Sequence, residues 1–158
     1  MPDNNKRKPI LWEKPGNNLV KCSICHNYCV IPRDAISRCF SRKNANGEME
    51  LNNYGFISSI AVDPIEKKPL YHFHPGTKVL SVGGWGCNFK CKHCQNWQIS
   101  QISATNIEQN GGRYLSPEKL VDLISETGSQ GISWTYNEPA IWLEYTLDSA
   151  KLAKERGF

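Results

Sequence analysis

The sequence predicts an α/β fold, in which a small, cysteine-rich and mostly β amino-terminal region precedes the start of a partial (βα) barrel. Residues 17–75 combine four cysteines with short strand-like runs and turn signals. Residues 76–158 alternate strand-like and helix-like patterns, which is the order of two βα units around a parallel sheet. These two observations together indicate the fold class.

The composition is that of an ordinary soluble protein. Of the 158 residues, 39% are hydrophobic and 22% are charged, which suffices for one or two small cores. No apolar run is as long as the stretch of about 18 residues that a membrane span needs. Residues 1–16 contain no apolar stretch typical of a secretory signal. We therefore expect a cytoplasmic protein with no membrane partner.

The first 16 residues are polar and basic and contain prolines, so we expect a disordered arm over residues 1–16. Within it, Lys6, Arg7 and Lys8 supply part of the net charge of +4. Charge on such an arm is weak support for binding nucleic acid, and we expect no nucleic-acid partner.

Cys22, Cys25, Cys29 and Cys39 follow, with the spacing C-x2-C-x3-C-x9-C. In a chain with an odd total of seven cysteines, this group indicates metal binding rather than disulfides. Zinc fits because four ligands close a tetrahedron, and a second iron–sulfur cluster fits the same thiols. The alternative is four buried cysteines that act as small hydrophobic side chains. His26 is expected to point into solvent.

Strand-like patterns dominate residues 48–73. Asn46-Gly47 signals a tight turn, and residues 49–62 predict a small hairpin or meander that ends at Asp63-Pro64. Residues 71–74 alternate aromatic rings with imidazoles, which predicts a half-buried strand.

The second half of the chain has the signals of two βα units. Residues 77–82 predict a strand of a parallel sheet. Ser116-Pro117-Glu118 predicts a helix start, and Gly128 predicts its end. Residues 131–136 predict the second strand, and a second helix is expected from Pro139.

A loop with three cysteines follows the first of these strands. Cys87, Cys91 and Cys94 have the spacing C-x3-C-x2-C, which lets one short loop fold three thiolates around a single metal centre. Closed structural sites use four protein ligands, so a centre with three keeps one position open. Asn137 and Glu138 follow the second strand, and α/β proteins place their chemistry at such strand ends.

This motif resembles the signature of radical S-adenosylmethionine (SAM) enzymes. The resemblance implies that the three cysteines ligate a [4Fe–4S] cluster, that SAM chelates its open iron, and that His93 lies beside the adenine. Most members carry Phe, Tyr or Trp at that position. Where the superfamily has a Gly-Gly-Glu motif that contacts the SAM amino group, this chain has Asn137 and Glu138. The alternative is that these two residues only turn the chain into a helix.

A narrower resemblance covers most of the chain, and its segments are Tyr54-Gly55, residues 61–70, His72-Phe73, Pro75-Gly76, residues 86–89 and residues 94–97. They resemble the AmmeMemoRadiSam-system radical SAM enzymes, relatives of pyruvate formate-lyase activating enzymes. Members of that family are longer than this chain. We therefore expect an amino-terminal portion of the enzyme that is inactive by itself.

The resemblance implies that a reduced cluster splits SAM into methionine and a 5′-deoxyadenosyl radical that abstracts hydrogen. The implied partners are an electron donor of the flavodoxin or ferredoxin type and a protein substrate, as for an enzyme that forms glycyl radicals. The alternative function is a cysteine-rich metal-binding or iron–sulfur electron-transfer module without catalysis. The substrate and further catalytic residues stay unassigned.

Overall fold

The computed structural model describes residues 7–102 and 112–158 and has a mixed α/β fold, as the sequence predicts. The sequence between Trp97 and Gly112 is polar and predicts a long crossover loop, and most of it lies outside the described residues. No helix in the described ranges is long and apolar enough to cross a membrane.

Two small antiparallel sheets build the amino-terminal region. One contains β1 (Trp12–Gly16), β2 (Leu19–Cys22) and β3 (Val30–Ile31), and the other pairs β4 (Arg42–Ala45) with β5 (Glu48–Leu51). The buried cluster between these strands contains Val20, Cys22, Ile31 and Met49.

Strand β1 corrects the prediction of a disordered arm over residues 1–16. Trp12 lies opposite Cys22 in the antiparallel ladder, and Glu13 lies opposite Lys21. Trp12 also packs against the amino-terminal core. The pairing partner comes later in the chain and satisfies backbone groups, so polar local composition could not reveal it. Residues 1–6 of the predicted arm lie outside the described part of the chain.

The hairpin of β4 and β5 confirms the predicted tight turn. Ala45 lies opposite Glu48, which leaves Asn46 and Gly47 as a two-residue connection with φ of 53° and 86°. Two consecutive positive φ angles match the right-handed twist of the flanking strands, and Asn-Gly is the sequence that adopts them most readily.

A three-stranded sheet forms the centre of the remaining fold. β8 (Lys78–Gly83) lies between β7 (Ser59–Pro64), which is antiparallel to it, and β10 (Ile132–Trp134), which is parallel. A separate pair joins β6 (Phe56–Ile57) to β9 (Arg113–Tyr114). The parallel pairing of β8 with β10 confirms the predicted pairing of the two strands on either side of the helix that begins at Pro117.

Two strand predictions from the sequence are wrong. Residues 49–62 form no single hairpin or meander, because β5 pairs with β4, β6 with β9 and β7 with β8. Alternation along a strand indicates its faces but not its partner. Residues 71–74 are not a strand, and Tyr71 and Phe73 are exposed. Pro69 and Pro75 flank that segment, and neither has an amide to donate.

The described residues also form three α-helices, α1 (Trp97–Ser100), α2 (Pro117–Glu126) and α3 (Leu143–Glu155). One 3-10 turn follows β7 at Ile65–Lys67, and another precedes α3 at Pro139–Trp142. The Lys119 amide donates to the Ser116 hydroxyl at 3.2 Å, which confirms the predicted cap. The core that packs α2 and α3 on β8 includes Leu80, Val82, Leu120, Val121, Ile124, Trp142 and Tyr145.

A buried ion pair joins the amino-terminal region to α3. Arg42 on β4 donates from Nη2 to both carboxylate oxygens of Glu144, at 2.9 and 2.7 Å. Both side chains are 1% exposed. The backbone amide of Ile10 also donates to Glu144 Oε1 at 2.9 Å. One carboxylate therefore fixes two segments of the amino-terminal region on the helix.

We predict that Glu144→Gln destabilises the fold by about 3–5 kcal/mol, because it leaves the Arg42 guanidinium buried without a counter-charge. Urea unfolding of the two proteins measures the difference. The matched control is Asp122→Asn, which removes one partner of the exposed Arg156–Asp122 pair and should cost about 0–1 kcal/mol. Equal losses in both variants would contradict the prediction.

Candidate functional site

The three-cysteine loop leaves the sheet at the carboxyl end of β8. All three thiols are free; Cys87 is buried, Cys94 is half-buried and Cys91 is exposed. The Phe89 amide lies 3.5 Å from Cys87 Sγ, and the Cys94 amide donates to the Cys91 carbonyl at 3.2 Å. Residues 86–97 contain no carboxylate. This set of soft thiol donors is suited to an iron–sulfur cluster.

The thiols are not preassembled around a point. Within 7–102 and 112–158, no three His, Cys, Asp or Glu side chains are arranged so that they could hold a metal ion. The fit to a cluster therefore rests on the chemistry of the three donors and on the position of their loop at a strand end.

Gly86, immediately before Cys87, brings the two cysteine segments into contact. It has a φ of +86°, and a Cβ atom on it would lie 2.1 Å from the carbonyl oxygen of Cys39. Its amide donates to the Ile99 carbonyl at 2.8 Å. Because L side chains rarely adopt this φ and no space is available for one, this position requires glycine.

Asn137, which follows the second predicted strand, lies against the same three-cysteine loop. Its Nδ2 donates to the carbonyl oxygens of Gly84 at 3.1 Å and Gly86 at 2.7 Å. In the other direction, Asn96 Nδ2 donates to the Tyr136 carbonyl at 2.9 Å. Two side-chain amides thus join the turn after β10 to the loop after β8, as the rule about strand ends predicts.

Glu138 has a structural role at the turn after β10. Its Oε1 accepts a hydrogen bond from the Ala140 amide at 3.0 Å, which caps the 3-10 turn at Pro139–Trp142. This is the helix-starting role given above as the alternative. The capping bond uses one of the two carboxylate oxygens.

The two histidines next to cysteines, His26 and His93, are both exposed. The ring centroids of His26 and Tyr28 are 5.9 Å apart, and the exposure of His26 confirms that it points into solvent. The exposed ring of His93 is accessible for stacking on a planar ligand, which is the role that the resemblance implies.

The four-cysteine segment is partly buried in the amino-terminal core. Cys22 and Cys39 are buried, Cys25 and Cys29 are half-buried, and all four are free thiols. Burial raises the pKa of the Cys22 and Cys29 thiols. The Cys22 amide donates to the Cys29 carbonyl at 2.9 Å, and Cys39 Sγ lies 3.0 Å from the Ser41 hydroxyl.

A cleft of about 480 Å³ separates the two cysteine segments at the surface. Residues 23–28 line one side, including Cys25, and Asn88 and Phe89 line the other. Asn27 Nδ2 lies 3.4 Å from the Asn88 carbonyl. The four-cysteine segment is therefore a direct neighbour of the three-cysteine loop.

Residues 81–158 match the family model described as the Radical SAM superfamily. This part of the chain is similar to a radical SAM domain. An uncharacterized protein of Methanocaldococcus jannaschii is 42% identical over 151 residues, which are 96% of this chain and 44% of that relative. The chain thus spans less than half of the relative's length. No solved structure matches the chain.

The matched region begins within β8, so it contains the three-cysteine loop together with His93, Asn137 and Glu138. The four-cysteine segment precedes it. The site residues thus divide into one set inside the matched domain and one set packed against it through Gly86 and Cys39.

Sequence reasoning missed one polar cluster near this site. Asp63, described above as the end of a strand, lies within β7 and is 4% exposed. Its carboxylate accepts hydrogen bonds from Lys67 at 2.7 Å and Lys68 at 3.0 Å, and from the Tyr136 hydroxyl at 3.2 Å. The signal in the sequence was an acid followed closely by two lysines, but nothing local indicated the tyrosine.

We predict that Gly86→Ala destabilises the protein by at least about 1–2 kcal/mol, from the left-handed φ alone. The clash with Cys39 should also lower the iron bound after reconstitution. Urea unfolding and iron analysis measure the two effects.

The matched control is Gly131→Ala, since a Cβ atom there meets nothing within 4 Å and its φ lies outside the left-handed range. That variant should stay within about 0.5 kcal/mol of wild type. If Gly86→Ala behaves like this control, the close approach of the two cysteine segments is unimportant.

Proposed function

We propose that this chain is part of a radical SAM enzyme that holds a [4Fe–4S] cluster on Cys87, Cys91 and Cys94. Such a cluster with bound SAM supplies one-electron reductive cleavage to a 5′-deoxyadenosyl radical that abstracts hydrogen. The observation that carries the proposal is a loop of three free thiols at the carboxyl end of β8, inside the matched domain.

On this proposal, β8, α2, β10 and α3 are the first two units of a partial (βα) barrel. Parallel pairing of β8 with β10 and the packing of both helices on one face of the sheet support it. Asn137 then has a defined task, because its side-chain amide fixes the backbone before Cys87. We assign Glu138 to the SAM amino group and His93 to the adenine.

The narrower resemblance supports an AmmeMemoRadiSam-system enzyme, with hydrogen abstraction from a protein substrate as in glycyl-radical formation. We infer a cytoplasmic enzyme that receives electrons from a protein of the flavodoxin or ferredoxin type. Lys90 and Lys92 are exposed on either side of Cys91. Such a pair of positive charges favours the approach of an acidic donor protein.

We also propose that Cys22, Cys25, Cys29 and Cys39 form a second metal site, with zinc or an iron–sulfur cluster bound. Four free thiols in one compact segment support it. Its closeness to the three-cysteine loop also suits the second candidate function, a cysteine-rich electron-transfer module without catalysis.

The decisive experiment reconstitutes the full-length protein anaerobically with iron and sulfide and records electron paramagnetic resonance after reduction. We expect the signal of a cubane cluster that shifts when SAM is added, because SAM binds the open iron. Cys91→Ala should lose the SAM-dependent shift, whereas the control Cys25→Ala, in the other segment, should keep it.

A cluster signal that ignores SAM would favour the electron-transfer module over the enzyme. Zinc without iron at the three-cysteine loop would contradict both the cluster and the enzyme.

The second metal site predicts that a variant with Cys87, Cys91 and Cys94 all changed to Ala still binds metal. Elemental analysis of the purified full-length variant measures it and identifies the metal. Changing Cys22 and Cys39 to Ala in addition should abolish the remaining metal. A metal-free triple variant would show that the four cysteines are structural side chains.

Glu138→Gln tests the assignment to the SAM amino group. Glutamine keeps an oxygen to cap the 3-10 turn but removes the charge, so a lost charge-assisted bond should cost about 1–3 kcal/mol, or ten-fold or more in SAM affinity. Isothermal titration of the reconstituted full-length protein measures this. Unchanged affinity would leave Glu138 with its capping role alone.

A further inference from the structure

Tyr136 adopts a backbone conformation that is unfavourable for its residue type. Its φ is 71°, in the left-handed region where a non-glycine residue costs on the order of 1–2 kcal/mol. Strain of this kind persists where surrounding contacts impose it, and it is frequent at functional sites. Strand β10 ends at Trp134, two residues before Tyr136, and Tyr136 begins the turn that carries Asn137 and Glu138.

Three contacts impose this conformation. The Tyr136 hydroxyl donates to Asp63 Oδ2 at 3.2 Å, and Lys68 Nζ lies 5.5 Å from the centroid of the tyrosine ring. The Tyr136 carbonyl accepts from Asn96 Nδ2 at 2.9 Å. Gly83 makes room for the ring, since a Cβ atom there would lie 3.0 Å from Tyr136 Cδ2.

Asp63 and Tyr136 keep the protonation states that their hydrogen bond needs. Burial raises the pKa of Asp63, but hydrogen bonds from Lys67 and Lys68 outweigh it, so the net pKa lies below the ordinary value. Burial and the charge of Asp63 raise the pKa of Tyr136. Around neutral pH the carboxylate is therefore an acceptor and the hydroxyl a donor.

The hydrogen bond between Tyr136 and Asp63 joins the matched region to a strand outside it. Asp63 belongs to β7, which lies outside the matched radical SAM domain, and Tyr136 belongs to the turn inside it. The Tyr136 side chain thus fixes the turn to β7, while Asn137 fixes the same turn to the three-cysteine loop.

We propose that Asp63, acting through the Tyr136 hydroxyl, is a positioning residue that holds the turn of residues 136–139 in the conformation that binds SAM. This inference rests on the proposed function. Lys68 supports it from the ring face and neutralises Asp63, so that the buried carboxylate is not left without a partner.

The test uses Tyr136→Phe and Asp63→Asn in the full-length protein, with Tyr54→Phe as the matched control. Tyr54 also donates its hydroxyl to an aspartate, Asp148 Oδ2 at 2.8 Å, but this bond lies on α3 and not at the turn. Tyr136→Phe and Tyr54→Phe each lose one hydroxyl–carboxylate bond, so these two variants should lose similar stability. Asp63→Asn also loses its ion pairs with Lys67 and Lys68 and should lose more. Only Tyr136→Phe and Asp63→Asn should affect SAM.

We expect Tyr136→Phe and Asp63→Asn to weaken SAM binding by about three- to ten-fold, the range for one lost hydrogen bond. The double variant should bind SAM no more weakly than Asp63→Asn alone, because the bond that Tyr136→Phe removes is already lost in Asp63→Asn. The resonance signal of the reduced cluster without SAM should stay unchanged. In the metal-free protein, amide hydrogen exchange of residues 136–140 should accelerate in both variants and stay as in wild type in Tyr54→Phe.

If Tyr136→Phe binds SAM as tightly as the wild-type protein, this inference is wrong and the proposed function is unaffected. An equal loss of SAM affinity in Tyr54→Phe, or additive losses in the double variant, would also overturn the inference, because either result indicates general destabilisation. A wild-type protein that assembles its cluster and ignores SAM would overturn the proposed function and this inference with it.

Discussion

The ion pair between Arg42 and Glu144 is the constraint on which the arrangement of the two cysteine segments depends. Both groups are fully enclosed, so each requires the other, and removing either one leaves a buried charge. The same short segment binds back on itself, because Arg42 N donates to Ser37 Oγ and Ser37 N donates to the Arg42 carbonyl. Cys39 lies within that turn. A helix of the matched region, α3, therefore fixes the place of a cysteine outside that region.

Contacts from two sides then define the start of the three-cysteine loop. The Cys39 carbonyl limits Gly86 on one side, and the Asn137 amide holds the Gly84 and Gly86 carbonyls on the other. The first thiol, Cys87, is buried between these supports, whereas Cys91 is exposed. The loop thus has a fixed end at the sheet and an open end at the surface, which suits a site that must admit a cofactor.

Local signals predicted the elements that depend on local chemistry. The Asn46-Gly47 turn, the Ser116 cap and the β8 strand all follow from residues next to one another in the sequence. The pairings of β1 and β7 were not predictable in this way, since alternation does not identify a partner strand. In the site, the position of Asn137 followed from the rule about strand ends. The strain at Tyr136 and its bond to Asp63 did not, because a side chain's direction and a single φ leave no pattern in the sequence.

The contact between Gly86 and Cys39 also bears on the order in which the protein assembles. The loop obtains its support from a turn that is synthesised about fifty residues earlier, and chains generally fold from the amino terminus during synthesis. The turn around Cys39 depends on α3, which is the last of the described elements to be synthesised. The two groups of cysteines therefore reach their final arrangement only after α3 has docked.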